Sequence, residues 1–281
     1  MSLSPLIVEA AVRSALLEDL GAGLDVTTDA LVPATKTGTA VMRARRAGVL
    51  AGLACAMTAF RLLDAEIAVH VHKSDGDRLQ AGEDILTVSG RAATILTAER
   101  TALNFVTLLS GVASETRRYV EAVEGTRAKI ICTRKTIPGL RALQKDAVRL
   151  GGGHNHRFGL GDGILIKDNH IAMAGGIAEA IALARRSAGH MVKIEVEVDT
   201  LDQLREVLDA GGVDSVLLDN MTLDQMREAV AMVAGRFATQ ASGNVRLDTI
   251  RAIAETGVDL ISIGALTHST KALDIGLDID L

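Results

Sequence analysis

Between Thr133 and His170 the chain gathers seven cations, Arg134, Lys135, Arg141, Lys145, Arg149, Arg157 and Lys167, against three anions, Asp146, Asp162 and Asp168. The 281 residues together carry a formal net charge of −5. A local positive excess inside an acidic chain repels itself unless an anion sits among the cations. Arg134 and Arg157 are the best placed to hold one. A guanidinium offers a planar fork for carboxylate or phosphate, and each charged hydrogen bond contributes about 1.5 to 3 kcal/mol. The chemistry that fits is recognition of a ligand carrying carboxylates, phosphates or both.

Each residue also has a plainer reading. Arg141, Lys145 and Arg149 recur at helical spacing on LRALQKDAVRL and read as a solvated or dipole-complementing helix face. Arg134 and Lys135 are adjacent, just before a Pro138-Gly139 turn, where such a face is less natural. Lys167 follows ILI and is costly to bury unpaired; its plain alternative is a salt bridge to a carboxylate on a neighbouring strand. Residues 151–163, GGGHNHRFGLGDG, contain six glycines but match neither familiar phosphate-loop spacing. His154 and His156 lack the partners of a zinc site and read as loop histidines that hydrogen-bond locally or to ligand. His70 and His72 read as surface residues, and Cys55 and Cys132 as buried thiols of a reducing compartment.

These groups need elements to position them. From Lys129 onward, short β-branched runs alternate with helical patterns, and the strands AKIICT, GILIK, VKIEVEV, DSVLLD, FATQAS and DLISIG give six β-α units. Successive units of this kind imply parallel strands. A complete eightfold barrel takes about 250 residues, more than remain after Lys129, so the expected fold is an incomplete, six- or seven-stranded α/β barrel. Barrels place their sites at strand C-terminal ends. Thr133, Arg134 and Lys135 follow IIC, Lys167 ends GILIK, Glu197 lies late in KIEVEV, Asp219 ends SVLLD, Ser242 and Gly243 end ATQAS, and Gly264 ends ISIG. Glu197 and Asp219 are the candidates to hold Mg²⁺ or to stabilise developing positive charge.

The first part of the chain reads as an α+β domain over 1–112, followed by the barrel over 113–269, with the tail from about 270 to 281 packing back on the first. A capped helix is expected from about Ser4 to Leu20, and a long helical stretch from Arg91 to Glu124 with a break at Ser110 and Gly111. DGD and AGED read as turns between strands. Hydrophobic content of 48% with 23% charged residues fits a soluble globular protein. No uncharged stretch exceeds 14 residues, the length of Ala47 to Phe60, too few to cross a bilayer. Glu9 and Glu18 come early with no basic leader, so a cytoplasmic protein is expected. Aromatic residues make up 2% of the chain, which leaves no stacking platform for nucleic acid.

TRKTIPGLRALQKDAV followed by GGGHNHRFGLGDGILIKDNHI closely resembles the hallmark region of the quinolinate phosphoribosyltransferases. EDLGAGLDVTTDALV, TAERTALNFVTLLSGVAS, KIEVEVDTLDQL, VLLDNM, ASGNV and DLISIGALTHS extend the likeness, in family order, over nearly the whole chain. The resemblance implies phosphoribosyl transfer from phosphoribosyl pyrophosphate to quinolinate with decarboxylation, a step of de novo NAD biosynthesis. It also implies a homodimer or dimer-based oligomer whose active sites lie at subunit interfaces. By it, Thr133, Arg134, His156, Arg157 and Lys167 surround the acid's two carboxylates, with Arg100 reaching in from the partner subunit. Lys135, Glu197, Asp219, Ser242, Gly243, Asn244 and Gly264 would bind phosphoribosyl pyrophosphate and its Mg²⁺. Three positions depart from the family pattern: Leu24 is inserted where Gly usually runs directly to Asp, Gln240 stands where Glu is usual, and Asn244 replaces a common second Gly. Three rivals remain at this point: a paralogue using another aromatic acid, an aldolase-like enzyme with Lys167 as Schiff-base lysine, and a phosphosugar sensor without turnover.

Overall fold

The structure, a computed structural model, describes residues 3–21 and 23–280. The chain runs through α1 (Pro5–Leu20), α2 (Val26–Leu31), β1 (Thr37–Ala44), β2 (Gly48–Val49), α3 (Leu53–Leu63), β3 (Ala68–Val71), β4 (Arg78–Leu79), β5 (Asp84–Arg91) and α4 (Ala92–Ala122). It continues through β6 (Lys129–Ile131), α5 (Arg141–Leu150), β7 (Ile164–Ile166), α6 (Asp168–Ala174), α7 (Ile177–Ser187), β8 (Ile194–Val198) and α8 (Leu201–Ala210). It ends with β9 (Ser215–Asp219), α9 (Leu223–Val233), β10 (Ala238–Ser242), α10 (Ile250–Ala254), β11 (Leu260–Ser262), α11 (Ala265–His268) and β12 (Ile275–Asp280).

Two compact units result. The first takes the chain up to Arg117, the segment Thr136–Gly152 and the chain from Leu266; the second takes Arg118–Lys135 and Gly153–Ala265. The grouping follows packing rather than one cut in the sequence. Within the first unit, Gln144 of α5 donates from Nε2 to the Thr267 carbonyl at 2.7 Å, which ties 136–152 to the closing segment.

The first unit is built on an antiparallel sheet of order β12-β1-β5-β3. Ala40, Met42 and Ala44 alternate inward along β1 and are fully buried, the period-two pattern of a strand with one face on a core. Arg43 points the other way and joins Asp84 at 2.6 Å and Asp278 at 3.4 Å across its two neighbours. Asp25 caps α2, accepting from Thr28 N at 3.0 Å, and its carboxylate also accepts from Thr97 Oγ1 of α4 at 2.9 Å. The side-chain hydrogen bond from Thr28, with help from its backbone, draws the Asp25 carboxyl below its usual range.

Two expectations are corrected here. Ser110 and Gly111 do not break a helix, because α4 continues through both over 31 residues. Ser110 Oγ is buried, accepting from Ala51 N at 3.0 Å and donating to Ala51 O at 3.2 Å. Gly111 lets another backbone approach: a Cβ there would lie 2.3 Å from the Lys271 carbonyl oxygen. Lys145 is not on a solvated face either, being 3% exposed among Leu143, Gln144, Ala147 and Val148 of α5. Arg149 does fit that reading, pairing with Asp146 at 2.7 Å on the exposed side.

The second unit holds the six expected β-α strands as a parallel sheet of order β6-β11-β10-β9-β8-β7, the incomplete α/β barrel. His154 adds a single parallel bridge to Ile131 at the β6 edge. The central strands are almost continuously buried, as strands covered on both faces must be. Thr200 and Thr222 begin α8 and α9 with reciprocal capping boxes to Gln203 and Gln225, so each strand turns into its helix within a few residues. That leaves the strand C-terminal ends and the connecting loops on one rim. Among the described residues no helix is long and apolar enough to cross a membrane.

Candidate active site

Parallel register sets which side chains meet on the rim. Ile166 pairs with Val196, so Lys167 and Glu197, one residue further on, are neighbours, and Lys167 Nζ donates to Glu197 Oε2 at 2.6 Å. This is the salt bridge that the plain reading of Lys167 anticipated. Asp219 pairs with Ser242 at the ends of β9 and β10, and Asn220 N continues the ladder to Ser242 O at 3.0 Å. Asn220 Nδ2 donates to Asp219 Oδ2 at 2.7 Å, and Asn244 Nδ2 reaches Asn220 Oδ1 at 3.4 Å. Asn220 and Asn244 both adopt left-handed backbone, φ 53° and 49°, a conformation that asparagine tolerates better than most residues. Gly243 closes against this pair: at φ +96° any Cβ would sit 2.2 Å from Asn220 Oδ1. Gly264 follows β11, whose Ser262 pairs with Ile131, so Gly264 and Thr133 end neighbouring strands.

The cationic side of the rim comes from the segments after β6 and before β7. Thr133 Oγ1 accepts from Lys135 N at 3.0 Å and tightens the turn that carries Arg134. Arg157 donates from Nη1 to the Gly163 carbonyl at 2.7 Å. Asp162 braces the same loop by accepting from Phe158 N at 2.5 Å and Gly159 N at 2.7 Å. Burial opposes ionisation of Asp162, but these backbone donors bring its carboxyl below the usual range. The Nε atoms of Arg134 and Arg157 are buried with no hydrogen-bond partner. Burial pushes the Arg157 guanidinium below its ordinary range and the nearby Arg134 charge adds to this, while Asp162 and Glu195 oppose it. Two adjacent guanidiniums with donors left over constitute a demand for an anion.

Glu195 and Ser215 went unnoticed in the sequence. Glu195 is 7% exposed; its Oε2 bonds His156 Nε2 at 2.7 Å and its Oε1 accepts from Ser215 Oγ at 2.9 Å. The signal was present in IEVEV, where period-two alternation puts Glu195 and Glu197 on one face. Asn220 was likewise unremarked beside Asp219.

The structure thus gathers Lys167 with Glu197, Asp219 with Ser242, Gly243 and Asn244, and Arg134 with Arg157, all within the second unit. Arg100 belongs to the first unit, exposed on α4 beside a hollow of about 260 Å³ that it lines with Asp19, Asp25 and Thr97. Gln240 is 1% exposed on β10 and its Oε1 has no partner. Leu24 is a solvent-exposed loop residue. As for a metal, no group of three or more His, Cys, Asp or Glu side chains among the described residues is placed to hold one. Glu197 and Asp219 alone do not form a closed cage.

Comparison with known proteins agrees with this geometry. Residues 112–278 match the family described as quinolinate phosphoribosyl transferase, C-terminal domain, and residues 25–110 match its N-terminal domain. The chain is 47% identical over 265 residues to the probable nicotinate-nucleotide pyrophosphorylase [carboxylating] of Bacillus subtilis (strain 168), covering 94% of this chain and 91% of that protein. It is 48% identical over 276 residues to the nicotinate-nucleotide pyrophosphorylase [carboxylating] of Mycobacterium leprae (strain TN), covering 95% of each. Among solved structures, NadC from Streptococcus pyogenes superposes with a TM-score of 0.95 at 42% identity, over 100% of this chain and 99% of that one. Two family domains in order, nearly full-length identity and a shared fold meet in one conclusion: the chain belongs to the quinolinate phosphoribosyltransferase family.

Proposed function

We propose that this chain transfers the phosphoribosyl group of phosphoribosyl pyrophosphate to the ring nitrogen of quinolinate and releases the 2-carboxylate as CO₂, giving nicotinate mononucleotide and pyrophosphate. The observation that carries the acid assignment is the pair Arg134 and Arg157, each with a buried Nε donor lacking a partner. A planar dicarboxylate supplies the acceptors and the charge that this pair lacks. In this reading Thr133, Arg134, His156, Arg157 and Lys167 hold the acid. Lys135, Glu197, Asp219, Ser242, Gly243, Asn244 and Gly264 hold phosphoribosyl pyrophosphate. Arg100 enters from the partner subunit of a homodimer or dimer-based oligomer, in the cytoplasm.

The chemistry then follows from placement. The pyridine nitrogen attacks the anomeric carbon, a C–N bond forms, and the bond to pyrophosphate breaks with its electron pair on the leaving oxygen. Holding the two reactants in line removes up to about 7 to 11 kcal/mol of barrier in favourable cases. Glu197 and Asp219 stabilise the oxocarbenium-like charge on the ribose. Glu197 and Asp219 would also be the residues to hold Mg²⁺, whose charge would ease departure of the pyrophosphate. Once the ring nitrogen is cationic, the bond to the 2-carboxylate breaks, CO₂ leaves, and the electron pair remains on the adjacent ring carbon until that carbon takes up a proton. Lys167 and Glu197, paired with each other before ligands arrive, would separate toward the acid and the ribose.

Purified protein given quinolinate, phosphoribosyl pyrophosphate and Mg²⁺ is expected to release CO₂, pyrophosphate and nicotinate mononucleotide in equal amounts, with nicotinate inert as the alternative acid. Binding of phosphoribosyl pyrophosphate without pyrophosphate release would mark a sensor instead. Equal turnover with nicotinate would overturn the dicarboxylate assignment.

A further inference from the structure

We propose that Glu195 is a positioning residue for acid binding, a buried carboxylate that fixes the His156 ring from beneath the rim. The inference rests on the reading above that His156 contacts the acid. Glu195 lies on β8 two residues before Glu197 and on the same face, one step deeper, in register with Leu165 of β7 and Ser215 of β9. Its side chain is 9% exposed. A carboxylate at that depth is costly unless its oxygens are satisfied, and both are engaged, Oε1 by Ser215 at 2.9 Å and Oε2 by His156 Nε2 at 2.7 Å.

The arrangement constrains the histidine in two ways. With Ser215 donating to one oxygen, the other accepts the proton on His156 Nε2, which sets the tautomer of the imidazole. The bond also fixes the ring's orientation, because its anchor is a strand residue rather than a loop residue. Glu195 therefore anchors the loop at a residue read as an acid ligand, while Glu197 meets Lys167 at the mouth.

Glu195→Ala in the full chain is expected to raise the KM for quinolinate by about tenfold while leaving the KM for phosphoribosyl pyrophosphate unchanged. Glu195→Gln, which keeps an acceptor for Nε2–H but loses the charge, should give a smaller rise. In ¹⁵N NMR of histidine-labelled protein, His156 should show a protonated Nε2 in the wild type and a mixture of tautomers in Glu195→Ala. If Glu195→Ala does not fold, the nearly isosteric Glu195→Gln carries both comparisons, because its amide can donate to Nε2 as well as accept from it and so no longer selects one tautomer. An unchanged tautomer pattern, or equal rises in both KM values, would overturn the proposal. His156→Ala separates the two readings: unchanged quinolinate KM in that variant removes His156 from the acid site, while the NMR experiment still decides whether Glu195 holds the ring.

Discussion

A guanidinium with a buried, unpartnered N–H is held in place at some cost, and two of them side by side cost more. Arg134 and Arg157 share that condition, so ligand binding should relieve it and their loss should be felt mainly in affinity. Arg157→Ala is expected to weaken quinolinate binding by about 10- to 100-fold, measured by calorimetry, and Arg157→Lys to recover little of it, because an ammonium lacks the fork. Retention of wild-type affinity in both Arg134→Ala and Arg157→Ala would contradict the assignment. At this scale the sequence was legible where charge was out of place: an ionic excess in an acidic chain led to Arg134, Arg157 and Lys167. It was not legible where a polar residue supports another from below. Glu195 and Glu197 look equivalent in IEVEV, and only depth along the strand, 7% exposure against a half-buried neighbour at the mouth, tells them apart. Arg100 reads as an ordinary surface arginine in its own sequence context, and only the family likeness singled it out.

Elements were legible to the extent that burial leaves a pattern. Six strands could be counted because parallel strands covered on both faces are near-continuous apolar runs with turn residues between them. By contrast α6 was missed: it has seven residues, none of them buried, so it carries no apolar stripe. Gly111 was misread because a glycine needed for close backbone approach looks, in sequence, the same as one needed for a turn. Gly243 combines both demands. Gly243→Ala is expected to lose most activity and to cost about 1 to 3 kcal/mol in stability by chemical denaturation, from strain at positive φ and collision with Asn220. In the first unit, Asp75 Oδ1 accepts from Leu53 N at the start of α3 at 3.1 Å. Burial raises the Asp75 carboxyl above its ordinary value; the Leu53 hydrogen bond lowers it, the Asp146 charge adds to the rise and Arg149 opposes it. The folded state thus binds this proton more tightly than the unfolded state, so Asp75 subtracts stability as pH rises through the carboxylate range. Asp75→Asn keeps an acceptor for Leu53 and should raise the Tm at pH 7 by about 2 to 4 °C. The gain should disappear below about pH 4, where the wild-type carboxyl is protonated in both states.

For the whole molecule, the proposed sharing of sites between subunits makes a demand that no single-chain defect can imitate. Assayed with quinolinate well below the wild-type KM, Arg100→Ala and Arg157→Ala should each show little activity, yet a co-expressed mixture should recover up to about a quarter of wild-type activity, because half of the sites in mixed dimers receive both intact arginines. Activity no greater than the two parents combined would place Arg100 outside the site. The sequence reading sends the tail from about 270 back to the first unit, where the chain from Leu266 lies, but it does not disclose that 136–152 joins that unit too. Burial periodicity is a local signal, whereas the place of 136–152 depends on contacts between distant segments, such as that of Gln144 with Thr267.

The pairing of β12 with β1 has a consequence for synthesis. Arg43 on β1 and Asp278 on β12 are 235 positions apart, and the whole second unit is translated between them. Throughout that interval β1 has a neighbour in β5 on one side and an open row of amides and carbonyls on the other. A nascent chain would present this unpaired edge on the ribosome until β12 has emerged, which makes it a natural place for a chaperone to act and for two unfinished chains to adhere.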